Sequence, residues 1–237
     1  MRTPELRRQR ARRAGALLPL VGLLAAGCNG GLGLEGPFAL VFDGAEDCVE
    51  VNMTSLEVPS AWTIETWIRG DAAESDRARP LLEWNGVFSL GEAVGGDTVF
   101  AVGATEGLTF TTSVVDGKLR HVAGTFDGTR ATLYVDGVKQ AFADGLPPSS
   151  ATSTLRIGCS AGAEAYGGIL DEVRLSSTLR YESDFDRPVA PFEEDDDTLL
   201  LFHFDEGEGE QSFDAVAGVT AELQGPEWIT FDLENGE

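Results

Sequence analysis

Two adjacent acidic residues, Asp171 and Glu172, interrupt the apolar stretch GGILDEVRLS. Because successive side chains of a β-strand point to opposite faces, the two carboxylates are expected on opposite faces of one strand. Asp171 would then share its face with three branched apolar residues, where an unpaired charge is costly. We therefore expect Asp171 to have a partner that compensates its charge.

The same alternation argues against catalysis by paired carboxylates, because glycoside hydrolysis requires two such groups about 5–10 Å apart in one cleft. The segment GCSAG at 158–162 matches the nucleophile elbow G-x-S-x-G, but AEAYGG follows it where that motif requires a helix. His121 and His203 have no Cys or His partner at metal-ligand spacing. The sequence predicts a protein that is not an enzyme, with glycoside hydrolase as the least favoured alternative.

The composition is strongly acidic, with 17 Lys and Arg against 40 Asp and Glu and a formal net charge of −23. This charge opposes binding to nucleic acid and predicts no nucleic-acid partner. It is compatible with cation binding, although most surface carboxylates are simply solvated.

Short β-like runs separated by turn signals fill the chain after residue 37. Asp-Gly pairs occur at 43–44, 116–117, 127–128, 136–137 and 144–145, and such pairs are typical of tight turns. No helical period is sustained between the runs. The pattern predicts an all-β fold, an antiparallel two-sheet sandwich or jelly roll.

The N-terminus is typical of an exported protein. Residues 1–27 contain six arginines followed by an apolar run of signal-peptide length. The end of that run, LLAAGC, resembles a bacterial lipobox, which implies lipidation of Cys28 and a membrane partner through that lipid. Asn29 is not the Asp of inner-membrane retention, so the resemblance implies an outer-membrane lipoprotein. An ordinary secretory signal is the alternative, and residues 28–36 are expected to be a flexible tether.

With Cys28 lipidated, Cys48 and Cys159 remain. Two cysteines in an exported domain are expected to form a disulfide. Their spacing leaves open the alternative that they are unpaired.

Five segments in order resemble the LamG-like jelly roll of the concanavalin A-like lectin/glucanase superfamily: FALVFDGAEDCVEV, WTIETWIRG, HVAGTFDGTRATLYVDGVKQ, LRIG and GGILDEVRLS. Departures are Cys48 where Tyr is usual and Leu119-Arg120 where Trp precedes His121. The tail, from DTLLLFHFDEG to GPEW, is similar to a segment that usually precedes the opening strand in that family. We therefore expect one domain at 37–237, in which 198–232 supplies a permuted terminal segment. A truncated second repeat is the alternative.

The resemblance also implies a structural calcium ion held by Asp43 and Asp171, with Asp205 as a weaker third ligand. Calcium prefers six to eight oxygen ligands, which carboxylates and turn carbonyls supply. The alternative is that each carboxylate caps its own turn.

Sandwiches of this family recognise sugars or proteins, with aromatic side chains stacking on sugar rings. Trp84, beside an Asn-Gly pair, and Tyr166, beside two glycines, are the candidate surface contacts. The alternative, which is favoured for aromatic residues in general, is that these side chains fill the core. The sequence thus predicts a surface-anchored, non-catalytic binding module for a glycan or other extracellular ligand. The alternative is a structural or protein–protein module of the cell envelope without a small ligand.

Overall fold

Alternating apolar and polar residues, punctuated by glycine turns, build this chain from strands. The computed structural model describes residues 38–71, 77–103, 108–110, 113–144, 153–161 and 165–233, and among these it contains sixteen strands and no helix. No described helix is therefore a candidate for spanning a membrane. The strands are β1 (Phe38–Asp43), β2 (Cys48–Asn52), β3 (Trp62–Gly70), β4 (Arg79–Trp84), β5 (Phe88–Glu92), β6 (Thr98–Val102), β7 (Leu108–Phe110), β8 (Arg120–Phe126), β9 (Arg130–Val135), β10 (Val138–Asp144), β11 (Thr154–Ile157), β12 (Gly167–Ser176), β13 (Thr198–Phe202), β14 (Gln211–Phe213), β15 (Thr220–Gln224) and β16 (Glu227–Thr230).

Two eight-stranded antiparallel sheets form the sandwich, which confirms the predicted fold class. Sheet A has the order β10-β9-β8-β3-β12-β1-β16, with β13 also paired to β12. Sheet B has the order β14-β15-β2-β11-β4-β5-β6-β7. Seven of the fourteen strand pairs join strands that are not consecutive in sequence, so the fold depends on long-range pairing as well as on local hairpins.

The C-terminal segment contributes to both sheets. β13 and β1 lie on the same edge of β12, β1 beside Gly167–Leu170 and β13 beside Val173–Ser176. β15 pairs with β2 in sheet B, and β16 pairs with β1 in sheet A. The tail therefore completes the same sandwich that the opening strands begin.

The predicted disulfide between Cys48 and Cys159 is confirmed. It joins the start of β2 to a residue two positions beyond the end of β11, with a Cα–Cα distance of 5.2 Å, inside the usual range for this bond.

The outer face of sheet A is covered by the chain itself. The covering segment (residues 177–197) runs from β12 to β13 across strands β3 and β8. Its aromatic side chains Tyr181 and Phe185 stack at 3.5 Å between ring centroids, and Phe192 packs with Trp67 and Leu201 in a small apolar cluster. The central strands β3, β8 and β12 of sheet A are therefore buried on both faces.

Glu65 of β3 fastens the covering segment to sheet A. The carboxylate is fully buried and accepts hydrogen bonds from Arg174 Nε (2.9 Å) and the Tyr181 hydroxyl (2.7 Å). His121 Nε2 lies 3.1 Å from its second oxygen. Burial by itself raises the pKa of Glu65, but the hydrogen bond to His121 and the charge of Arg174 outweigh it and hold the pKa below its ordinary value.

Replacing Glu65 tests this network. Glu65→Ala leaves Arg174 without its buried carboxylate, and removal of one partner of a buried ion pair costs about 3–5 kcal/mol. We expect a loss of that size in the free energy of unfolding, measured by urea denaturation. Glu57→Gln, an exposed control, should change it by less than about 0.5 kcal/mol. A Glu65→Ala loss no larger than that of the control would contradict the network's role.

Candidate functional site

A β-bulge in the middle of β12 places two carboxylates on the same face. Opposite β3, Asp171 pairs with Trp67 and Arg174 with Glu65, so the register shifts between them. Glu172 sits inside the bulge with a φ of 52°, and the Thr66 hydroxyl donates to the backbone carbonyl of Asp171. In a bulge, two residues of one strand lie opposite one residue of the neighbouring strand, and this interrupts the alternation of side chains between the two faces of the sheet.

The predicted alternation is therefore wrong beyond Asp171. Val173 and Leu175 pack in the core between the sheets, while Asp171 and Glu172 both border a cleft on the outer face of sheet A. The prediction that these two carboxylates lie on opposite faces is therefore wrong, because the bulge adds one residue to β12 relative to β3.

The cleft has a volume of about 910 Å³, which is within the range of small-molecule sites. β12, the end of β13, the covering segment and the last described residues of the chain form its walls. Its lining combines acidic side chains, one histidine and apolar groups: Asp171, Glu172, Glu193, Glu194, His203, Asp205, Asp232, Phe38, Ala190, Pro191, Phe192, Ala215, Phe231 and Leu233.

Glu172 connects three parts of the cleft wall. It is almost completely buried. One carboxylate oxygen lies 2.7 Å from His203 Nδ1, and the other accepts a hydrogen bond from the Phe192 backbone N–H at 2.9 Å. Glu172 thus ties the bulge of β12 to the end of β13 and to the covering segment.

Asp171 is only 4% exposed, yet it lines the cleft. Its Oδ1 accepts the backbone N–H of Glu172 at 3.0 Å, and no described residue donates to its Oδ2. Burial, together with the charges of Glu172 and Asp205, raises the pKa of Asp171 well above its ordinary value. The side chain therefore brings an incompletely bonded carboxyl group to the cleft.

His203 and Asp205 follow the end of β13 and line the same cleft. Asp205 Oδ1 accepts the Phe38 backbone N–H at 3.2 Å. Partial burial raises the pKa of Asp205 to about 6, and the charge of Glu172 acts in the same direction. The hydrogen bond with Glu172 raises the pKa of His203 above its ordinary value.

This arrangement can bind ligands that donate hydrogen bonds or carry positive charge. Carboxylates are acceptors for hydroxyl and ammonium groups, and low exposure strengthens such bonds. The neighbouring apolar groups provide a surface for the apolar part of a ligand.

Comparison with known families agrees with the observed fold. The Laminin_G_3 family model, described as concanavalin A-like lectin/glucanases superfamily, matches residues 43–184, which is more than half of the chain. The chain belongs to this superfamily. No curated protein sequence matches it.

Several solved structures are similar to this chain. A candidate carbohydrate-binding protein from Bacteroides ovatus aligns with a TM-score of 0.68 at 20% identity, covering 84% of this chain and 61% of that chain. This chain therefore spans less than two thirds of that protein, and the likeness concerns the fold. The binding domain of botulinum neurotoxin DC in complex with SialylT aligns with a TM-score of 0.44 at 12% identity, covering 55% of this chain and 36% of that one. The SAP-like pentraxin of Limulus polyphemus has a TM-score of 0.44 at 13% identity, with coverages of 74% and 98%.

The calcium ligands expected from the superfamily resemblance are only partly brought together. Asp171 and Asp205 line one cleft, but Asp43 pairs with Gly167, four residues before Asp171 on β12. Asp43 is exposed, and its Oδ1 accepts the Ala45 backbone N–H at 2.8 Å. The expected meeting of Asp43 with Asp171 is thus wrong, and Asp43 caps its own turn instead.

No group of three or more His, Cys, Asp or Glu side chains suited to a metal ion occurs within the described part of the chain. The predicted set of three carboxylates is therefore not assembled. Calcium binding itself stays a prediction, which now depends on Asp171 and Asp205.

The two aromatic residues predicted as surface contacts are buried in the core of this superfamily domain. Trp84 is 1% exposed and packs edge-on against Phe88, and Tyr166 is completely buried with its hydroxyl donating to the Ile169 carbonyl. The glycines beside these two residues suggested exposed loops. Both aromatic side chains instead point into the core, Trp84 at the end of β4 and Tyr166 just before the start of β12. Cys28 lies outside the described residues, and its lipidation stays a prediction.

Sequence reasoning missed Glu172, His203 and Phe192 as neighbours in one site. The alternation of His203 and Asp205 in FHFDEG was a usable signal for two side chains on one face. The position of Glu172 had no comparable signal, because it depends on the bulge.

The raised pKa of Asp205 predicts a pH dependence of stability. A carboxyl pKa raised from 3.8 to about 6 favours folding most fully at low pH, and this contribution is lost as the pH rises through 6. Asp205→Asn removes the carboxyl group but keeps an acceptor for the Phe38 N–H. Wild-type stability relative to this variant should fall by about 1 kcal/mol between pH 4 and pH 7, allowing for solvent screening. Urea denaturation across this range measures it, and a constant difference would contradict the assignment.

The calcium prediction is tested by thermal melting in excess calcium and in EDTA. A ligand that binds only the folded state raises the melting temperature, so calcium should raise it in the wild type. Asp171→Ala should abolish the rise, while Asp43→Ala should preserve it. Equal wild-type melting temperatures in calcium and EDTA would contradict the prediction.

Proposed function

We propose that this chain is a non-catalytic carbohydrate-binding module and that the cleft beside β12 is its ligand site. The observation that carries the proposal is a cleft in which the poorly exposed carboxyl groups of Asp171 and Asp205 border apolar side chains. Membership of a superfamily that includes lectins supports a sugar ligand. An envelope location through Cys28 stays a prediction.

The chemistry of the cleft suits a sugar, because a sugar ring presents hydroxyl donors at its rim and apolar C–H groups on its faces. Asp171 Oδ2 receives no hydrogen bond from the described residues, and Asp205 retains an oxygen beyond the one that accepts the Phe38 N–H. Phe38, partly exposed, and Leu233 supply apolar surface in the same cleft. Buried acceptors that a ligand must satisfy also provide specificity.

Binding is favoured over hydrolysis by the state of Glu172. Because the bulge places Asp171 and Glu172 on one face, their orientation no longer argues against a catalytic pair. Both oxygens of Glu172 already have protein partners, His203 and the Phe192 N–H. These partners hold Glu172 in the cleft wall. In this proposal Asp171 and Asp205, the other two poorly exposed acids, accept hydrogen bonds from the ligand and do not hydrolyse it.

The position of the site is tested with two bulky substitutions on one exposed turn. Ala215 lines the cleft, whereas Ala217 borders a polar groove on sheet B. After a glycan array identifies a ligand, Ala215→Trp should weaken its binding at least tenfold in calorimetry because the indole fills the cleft. Ala217→Trp, with the same added volume, should bind as the wild type does.

An array without any bound glycan, or equal affinities for the wild type and Ala215→Trp, would contradict the proposed site. Release of new reducing ends from a bound glycan would contradict the non-catalytic assignment.

A further inference from the structure

The ionisable side chains that line the cleft are almost all acidic. Six carboxylates and one histidine line it, and no Lys or Arg of the described residues does. Three of these acids, Asp171, Glu172 and Asp205, are poorly exposed and lie at the bulge and the end of β13. A cationic group in the cleft therefore meets mainly acidic ionisable side chains, and its charge favours their ionised forms.

The arginines nearest the aromatic walls do not neutralise this potential inside the cleft. Arg174 stacks over the Phe192 ring at 4.3 Å and pairs with Glu65, and Arg69 stacks over the Phe231 ring at 5.1 Å. Neither guanidinium lines the cleft. The rings thus separate these positive charges from the ligand space.

Asp171 is the independent feature that points to a ligand. More than nine-tenths of it is buried, but only Oδ1 receives a hydrogen bond from the described protein. The second oxygen, Oδ2, borders the cleft and is open to a donor from a ligand. Asp205 has a second oxygen on the same cleft, so two carboxyl groups can accept hydrogen bonds from one donor-rich group.

We infer that the cleft selects sugars that carry a free, protonated amino group and discriminates against acidic sugars. This inference rests on the proposed function. An ammonium group carries three donors and one positive charge, which complements the oxygens of Asp171 and Asp205. An N-acetyl group carries one donor and no charge, and a uronic acid adds a repelled carboxylate.

The test compares oligosaccharides of the same length that differ at one group. Calorimetry of the full chain at pH 6 in EDTA uses the glucosamine tetramer, the N-acetylglucosamine tetramer and a galacturonic acid tetramer. The glucosamine tetramer should bind at least tenfold more tightly than the acetylated one, since a hydrogen bond to a charged group is worth about a tenfold change in Kd or more. Added NaCl should weaken the glucosamine tetramer preferentially, and the galacturonic acid tetramer should not bind.

Charge-removing variants locate the effect. Asp171→Asn and Asp205→Asn keep acceptors for the Glu172 and Phe38 N–H groups, and each should weaken the glucosamine tetramer about tenfold. The acetylated tetramer, which loses no charged hydrogen bond, should be weakened by a smaller factor. Asp144→Asn is the matched control, because it removes the same charge from a side chain that is 83% exposed on β10. It should leave both affinities unchanged, and melting curves establish that each variant is folded.

The possible results distinguish failure of the selectivity from failure of the proposed function. Equal binding of the two glucosamine-based tetramers would overturn the selectivity and leave the proposed function intact. Binding of neither tetramer, or tight binding of the galacturonic acid tetramer, would also overturn the selectivity. The glycan array then decides separately whether the proposed function fails. A glucosamine preference unchanged in both cleft variants would overturn the assignment to Asp171 and Asp205.

Discussion

Thr66 of β3 faces two consecutive residues of β12, and this two-against-one register shapes the outer surface of sheet A. It turns Asp171 and Glu172 to the same side and returns Val173 to the core between the sheets. The bulge occurs where the neighbour of β12 changes from β1 to β13. The same extra residue thus permits the change of strand partner and creates the acidic wall of the cleft.

Buried acidic side chains lie at two places near the bulge, under the covering segment and at the cleft, and they differ in how far the protein compensates their charges. Under the covering segment, Glu65 has several donors, so its burial is satisfied within the protein. At the cleft, Glu172 is satisfied in the same way, but Asp171 is not. Its second oxygen borders the cleft, where a ligand with a hydrogen-bond donor can reach it.

The fold was predictable because its signals are local. Alternation and Asp-Gly turns identify the strands, and the spacing of Cys48 and Cys159 allowed the disulfide. The site was less predictable, because a bulge depends on the opposing strand and Glu172 adopts a positive φ that its residue type does not favour. For the same reason Trp84, beside a turn, could not be assigned to the core: its burial depends on residues distant in sequence.

The claim that the bulge creates the ligand site is tested most directly by NMR. In ¹H–¹⁵N spectra of the chain titrated with the glucosamine tetramer, the account predicts that the largest shift changes cluster at the backbone amides of Glu172, Phe192, His203 and Asp205. These amides border one cleft but come from three separate parts of the chain. Shift changes centred instead on Glu50, Asn52 and Glu222, on the polar groove of sheet B, would contradict it.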